Sequence, residues 1–310
     1  MIRQSTTLRW LAALAVYAFL YLPLLIVILH SFNASKLGTQ WTGFTLHWYQ
    51  VLLHDDEMLR AAYHSLLIAA VASAVSTVLG TLAGLALHRY KLRLFPFLIM
   101  APLAIPELLS GVSLLIFFVL INFTLGLASI MLAHIAFCIS FVAIVVRSRL
   151  AGMDPALVEA ARDLGASPWQ SFRYITLPLI APGIVAGALL AFTLSIDDFV
   201  ITFFTAGVDA STLPLRIYTM IKITVTPEVN AISTILVLLT LVILAIASRL
   251  CSGFVVRFSG PVHVAFSLRE GFSGYQGLEW SGFQLPQRTV LRKVAGDFEG
   301  IFGGRAGLAR

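Results

Sequence analysis

Six long apolar stretches, 11–30, 61–87, 96–121, 128–146, 179–204 and 229–248, limit what this 310-residue chain can fold into. A helix needs about 20 consecutive apolar residues to cross the hydrocarbon core of a bilayer, and each stretch is close to that length or beyond it. Strands of a membrane barrel alternate apolar and polar residues over about ten positions, whereas these runs are apolar throughout. The expected fold is an all-α integral membrane protein with six transmembrane helices. The first stretch follows Arg3 and Arg9, as in a signal peptide. Its apolar core is long for that role and no small-x-small cleavage pattern follows, so it is read as a retained span.

Composition agrees. Hydrophobic residues make up 59% and charged residues 12%, where soluble domains carry about a quarter charged residues. An ordinary soluble enzyme and an acidic disordered protein are excluded. Two cysteines, Cys138 and Cys251, are too few for a disulfide scaffold or a cysteine-based zinc ribbon, and both read as packing residues. The formal net charge is +6, but the basic residues sit singly between apolar runs. That pattern argues against a nucleic-acid partner and makes the excess a signal of topology.

Arg3, Arg9, Arg89, Lys91, Arg93, Arg147, Arg149, Arg162 and Arg173 fall on one side of the membrane, and Lys36, Arg60, Arg216 and Lys222 on the other. Positive loops stay cytoplasmic, so both termini are expected there, with 31–60 and 205–228 facing outward. The short link 122–127 makes the third and fourth helices antiparallel neighbours. Residues 1–10 form a cytoplasmic N-terminus and 11–250 the six-helix domain. Residues 251–310 hold 11 of the 22 glycines and no long apolar run, and read as a weakly structured cytoplasmic tail.

Between the fourth and fifth stretches lies a polar segment, 154–178, with strong helix punctuation. Asp154 is a good N-cap and Pro155 fits the first helical position. Residues 156–164 are helix formers, and Gly165 suits a left-handed terminator. Ser167, Pro168 and Gln170 then form a second start with a capping box. The pattern predicts two short helices hinged at Gly165. The first exposes Glu159, Arg162 and Asp163; the second carries Trp169, Phe172 and Tyr174. Joined to two membrane helices, such a pair is a lever that a soluble partner could push. A membrane-surface loop without a partner satisfies the same caps.

Glu159-Ala160-Ala161, three residues, Gly165, nine residues, then Ile175-Thr176-Leu177-Pro178 resembles the EAA motif of membrane subunits of binding-protein-dependent ABC importers. Every fixed position is present. The resemblance implies a type I ABC importer permease fold with 154–178 as a coupling helix docked on a cytoplasmic ATPase. Glu159, Ala160, Ala161, Gly165, Trp169, Leu177 and Pro178 would form that contact, with Glu159 facing the ATPase. Ile105-Pro106-Glu107-Leu108-Leu109-Ser110-Gly111 and Leu194-Ser195-Ile196-Asp197-Asp198-Phe199-Val200-Ile201-Thr202 resemble the second permease subunit of spermidine/putrescine importers. The likeness runs from about residue 10 to about 250. It implies a multi-pass protein of the bacterial inner membrane, surrounded by lipid. Its partners would be a second permease in a heterodimer, an ATPase homodimer that binds ATP and Mg, and a periplasmic solute-binding protein. It would bind no cofactor itself and would move a small cation, spermidine or putrescine, by alternating access.

Glu107, Asp197 and Asp198 lie within the apolar spans, which contain no Lys or Arg. An ionisable group there costs roughly 2.5–3.5 kcal/mol on insertion scales and needs a reason. If 96–121 is one helix, Glu107 falls about 16 Å along it, near the midplane. Asp197 and Asp198 lie toward the outer side, about 100° apart on the helix, so one can face a pathway while the other packs. A polycation losing water would be compensated by such carboxylates. The alternatives are bonds to backbone freed by Pro102 and Pro106, or to a partner's arginine. His134 is read as ordinary packing. His30, His47, His54 and His64 lack metal-ligand spacing, and no metal site is expected. Asn33-Ala34-Ser35 is an acceptor sequon without significance here. Trp41 and Trp48 are placed at the outer interface or against a soluble partner. No G-x-x-x-x-G-K stretch occurs, so the chain is not expected to bind ATP. Other readings are a permease for another small solute, a membrane-embedded enzyme using Ser110 near Glu107, and a stand-alone secondary transporter. The enzyme lacks a placed histidine. The transporter would need inverted repeats and matching broken helices, and the sequence suggests neither.

Overall fold

A computed structural model describes residues 6–35, 40–90, 94–223, 226–243, 245–246 and 249. The expected tail at 251–310 lies outside these residues, as do Lys36, Lys91, Arg93 and Cys251. Twelve α-helical segments are described: α1 (Thr6–His30), α2 (His47–Leu53), α3 (Asp56–Arg89), α4 (Phe95–Ala104), α5 (Glu107–Leu120), α6 (Leu127–Ala151), α7 (Ala156–Asp163), α8 (Pro168–Ser171), α9 (Leu177–Ile196), α10 (Val200–Thr205), α11 (Leu213–Ile223) and α12 (Pro227–Ile243). A π-helical turn, Phe172–Thr176, joins α8 to α9. Among the described residues the strand-like pairing is one isolated bridge, Asn33 with Phe44.

Four helices are long and apolar enough to cross a membrane: α1, α3, α6 and the continuous run Pro168–Ile196. The third expected span is not one straight helix. It breaks after Ala104, and α4 and α5 meet at 112°, giving a fifth crossing if the pair counts as one span. Pro106 is the cause, because it has no N–H to continue the ladder and disfavours helical backbone at Ile105. The fifth expected span also stops early, at Ile196, and resumes as α10. The sixth appears as α12, with helical backbone also at 245–246 and 249.

The centre is a three-helix frame of α3, α6 and α9. Lipid tails are as apolar as leucine, so these helices associate through close packing and hydrogen bonds rather than water exclusion. Small residues permit the approach. A Cβ at Gly80 would stand 2.6 Å from the Cβ of Val142. Cys138, Val142, Val146, Leu150, Ile180 and Ala191 fill the α6–α9 seam. Ser73 on α3 donates to the Ala188 carbonyl on α9 at 2.7 Å.

A second core caps one end of the frame. Trp48, Leu52, Met58, Leu213, Ala231 and Ile232 are buried together. Trp48, expected at the outer interface or against a soluble partner, is instead inside this core; its indole N–H donates to the Asn33 carbonyl at 2.7 Å. Asn33 is itself fully buried. Its side chain donates to the Gln40 carbonyl and accepts from the Thr42 N–H, so the residue ties the loop before α2. Trp41 remains exposed. Arg216 on α11 pairs with Glu57 on α3 at 2.6 Å. The apolar window of α1 has no buried residue.

Gly80→Val should lower the melting temperature of the purified protein, since overpacking of this kind costs about 1–3 kcal/mol. Gly126→Ala adds its methyl group to open space and should leave the transition unchanged. Indistinguishable melting curves for Gly80→Val and the wild type would show that this contact does not set the α3–α6 spacing.

Candidate functional site

Two regions carry the residues singled out by sequence. The first is the 154–178 segment. Asp154 accepts from the Ala156 N–H at 2.9 Å and starts α7. The helix ends with Ala166 N–H donating to the Ala161 carbonyl at 3.0 Å and Gly165 N–H to the Arg162 carbonyl at 2.9 Å. That is a Schellman termination, which places the residue after the helix in the left-handed region; Gly165 has φ +84°. Ser167 and Gln170 form a reciprocal capping box, with bonds of 2.7 and 3.3 Å.

The hinge at Gly165 is present, but the second short helix is not separate. It runs through the π turn into α9 as one 29-residue helix, Pro168–Ile196. Pro178 has no N–H to offer, and Leu177 N–H donates five residues back to the Phe172 carbonyl. The turn widens where the ordinary bond is impossible.

Ala161 points inward. Glu159, Ala160 and Gly165 are exposed, and Leu177 and Pro178 are half-buried at the base of the loop. Trp169 is 66% exposed, and Leu157, Leu164 and Tyr174 also face outward. A tryptophan, a tyrosine and two leucines thus lie exposed beside Glu159. Behind them a cleft of about 630 Å³ separates the loop from the end of α3, with Arg89, Arg162 and Phe172 in its wall.

The second region is formed by the two helix breaks. Glu107 stands in the first turn of α5, exposed, rather than in the middle of a helix as expected. A carboxylate suits that position, where free N–H groups and the helix dipole favour negative charge. Asp197 caps the C-terminal end of α9 and is exposed. Asp198 is 8% exposed. It accepts from the Ile201 N–H at 3.3 Å, the Thr202 N–H at 2.9 Å and the Thr202 hydroxyl at 3.0 Å, which starts α10. The second turn of α5, one turn on from Glu107, lies on α10, since a Cβ at Gly111 would meet the Phe204 ring and the Val200 carbonyl. Val200 follows Asp198 and Asp197 by two and three residues, so Glu107 stands at the same end of this contact as the two aspartates.

All three acidic residues thus converge, and they bring a fourth group. His134 was read as ordinary packing without partners; instead it is buried at 2% exposure with Nε2 3.2 Å from Asp198 and Nδ1 2.7 Å from the Ser195 hydroxyl. The available signal was the one used for the acids, an ionisable side chain inside an apolar run. The two breaks also remove the sequence argument that broken helices are lacking. No group of three or more His, Cys, Asp or Glu among the described residues could hold a metal ion.

Residues 76–258 match the family described as binding-protein-dependent transport system inner membrane component. The chain belongs to that family. It is 45% identical over 239 residues to the spermidine/putrescine transport system permease protein PotC of Escherichia coli K12, covering 76% of this chain and 90% of that protein. It is 44% identical over 230 residues to the putrescine transport system permease protein PotI of the same strain, covering 71% and 82%. The Haemophilus influenzae PotC is 41% identical over 235 residues, covering 75% and 91%. Two solved structures share the fold. A chain of a bacterial ABC transporter for alginate aligns with TM-score 0.65 at 16% identity, over 81% of this chain and 96% of that one. A chain of the inward-facing MetNI methionine ABC transporter aligns with TM-score 0.57 at 21% identity, over 68% and 99%. The resemblance drawn from 159–178, 105–111 and 194–202 therefore holds. The chain is an inner-membrane permease subunit of an importer, and its family is one of transport proteins rather than enzymes.

Asp198→Ala should lower the melting temperature far more than Asp197→Ala. Removing one partner of a buried charged network costs about 3–5 kcal/mol, while Asp197 is exposed. Thermal denaturation of both variants in detergent compares them directly; equal shifts would mean that the Asp198 bonds do not hold α10.

Proposed function

We propose that this chain is one of two permease subunits of an importer for a small polycation, spermidine or putrescine, across the bacterial inner membrane. The observation that carries the reading is that two helix breaks packed against each other, α4–α5 and α9–α10, carry Glu107, Asp197 and Asp198 in spans free of Lys and Arg. The likeness to polyamine permeases supports it. Two exposed carboxylates, Glu107 and Asp197, replace hydration lost by a passing cation. Asp198 is buried behind them, and its bonds hold α10. Another small cation would meet the same chemistry, and the binding protein makes the choice among them.

Six spans place both termini in the cytoplasm, with α12 opening the last span. The 154–178 loop then faces a cytoplasmic ATPase homodimer, which binds ATP and Mg. A second permease completes the pathway, and a periplasmic binding protein delivers the solute. Closure of the ATPase pair pushes the face formed by Glu159, Ala160 and Trp169. Gly165 lets α7 turn against α8, and α7 rests on α8 and the π turn. Leu177 and Pro178 carry the push into α9, and the pathway opens outward. Hydrolysis resets it.

Co-purification of the tagged chain from membranes should bring down the ATPase and the second permease. Glu159→Arg and Gly165→Pro should leave the chain in the membrane but separate ATP hydrolysis from uptake in proteoliposomes. Uptake at wild-type rates in both variants would remove the loop from the coupling path.

Glu107→Gln should lower labelled spermidine uptake by about tenfold, a loss worth roughly 1.4 kcal/mol, with assembly unchanged. Unaltered kinetics would take Glu107 out of the pathway.

A further inference from the structure

His134 is buried with both ring nitrogens engaged, by residues at the end of α9 and around the start of α10. The ring projects from α6. Nδ1 is 2.7 Å from the hydroxyl of Ser195, in the last turn of α9. Nε2 is 3.2 Å from Asp198 Oδ2 and 3.0 Å from Thr202 Oγ1, on either side of the start of α10. With the proton on Nε2, the ring donates to the Thr202 hydroxyl, which in turn donates to Asp198, and Nδ1 accepts from the Ser195 hydroxyl; Asp198 Oδ2 itself lies in contact with Nε2. No donor or acceptor of the ring is left over, as a buried polar network requires.

A second strap holds the other end of α10. Ser129 of α6 donates to the Thr205 carbonyl at 2.7 Å. The six-residue helix α10 is therefore fixed to α6 at both ends, and α5 rests on it through Gly111. The position of Glu107 relative to Asp197 is set through α10 and hence through His134.

We propose that His134 is a positioning residue for solute passage: it holds Asp198 away from the pathway and locks α10 in place, so that Asp197 and Glu107 are the carboxylates that meet the cation. The identity of the solute rests on the polyamine reading; the latch itself does not.

The substitutions follow from atom positions. Glutamine at 134 can place an amide N–H near the site of Nε2 and keep the contacts to Thr202 and Asp198. Asparagine is shorter and reaches only the Nδ1 site, toward Ser195. Two measurements apply to the full chain. In lipid nanodiscs, carboxyl labelling by a water-soluble carbodiimide is read by mass spectrometry. In proteoliposomes holding the complete importer, spermidine turnover is expressed per assembled complex, beside ATPase activity stimulated by the loaded binding protein.

The wild type and His134→Gln should label at Asp197 and Glu107 and spare Asp198. His134→Asn should add labelling at Asp198. Turnover should fall at least about tenfold in His134→Asn, as expected for a displaced pathway group, with ATPase stimulation retained, and recover in His134→Gln. Equal labelling of Asp197 and Asp198 in the wild type would overturn the latch. So would wild-type turnover per complex in His134→Asn, which would reduce the histidine to a folding role, or a His134→Gln variant as impaired as His134→Asn. If the labelling pattern holds but the wild type moves no spermidine and spermidine protects neither carboxylate, the polyamine reading fails and the latch stands.

Discussion

Asp198 makes the break between α9 and α10 possible. Inside a bilayer, a backbone group without a partner costs several kcal/mol, and no water is present to supply one. A helix that stops there must find acceptors for the N–H groups of whatever follows. Asp198 provides them in one residue, by accepting from the Ile201 and Thr202 N–H groups at the start of α10. The break between Asp197 and Phe199 is tolerable because this carboxylate replaces the missing turn. The other break is solved by subtraction. Pro106 has no N–H to satisfy, and Ile105 N–H still reaches the Ala101 carbonyl at 3.1 Å. Each break leaves an acidic residue exposed beside it, Asp197 at one and Glu107 at the other.

These local solutions depend on the frame behind them. His134 can reach both Ser195 and Asp198 only because α6 and α9 lie close. They lie close because the positions between them are small or β-branched, with Cys138, Val142 and Ala191 fully buried at the seam. The same spacing lets Cys138 Sγ approach the Ala191 carbonyl at 3.6 Å. Packing in the middle of the frame and polar geometry at the breaks form one system. A change of spacing at Gly80 or Val142 acts on the carboxylates without touching them.

How far each feature could be read from sequence follows the range of the interaction behind it. The caps of the 154–178 loop close within four residues, so Asp154, Gly165, Ser167 and Gln170 were legible, and all four bonds or dihedrals are present. The apolar runs were legible because burial in lipid leaves a long continuous record. Their ends were less so, since proline at 106 signalled a bend but not its size. The break at Asp197–Phe199 has no proline or glycine to mark it; it depends on His134, more than sixty residues earlier in the chain. Trp48 was misplaced for a related reason. An aromatic near a membrane boundary fits a lipid interface equally well, and only the fold of α11 and α12 shows that it is covered. The π turn at Phe172–Thr176 was readable in principle, since Pro178 removes the donor that an ordinary turn would need.

The continuity of Pro168–Ile196 has a mechanical consequence for the proposed transport cycle. Twenty-nine residues rise roughly 43 Å, more than the hydrocarbon thickness of about 30 Å. A single helix therefore joins the docking face at Trp169 to the carboxylate at Asp197, and Gly165 lies outside it. Glu107 belongs to a different piece, the α4–α5 pair, which packs on α10 and on α6. A push on the loop then moves Asp197 directly and Glu107 indirectly. What the ATPase changes, on this reading, is the distance between two carboxylates on separately hinged pieces. A polycation with spaced amines is the kind of solute that would sense that change, because it can be held by both groups in one state and by only one in the other.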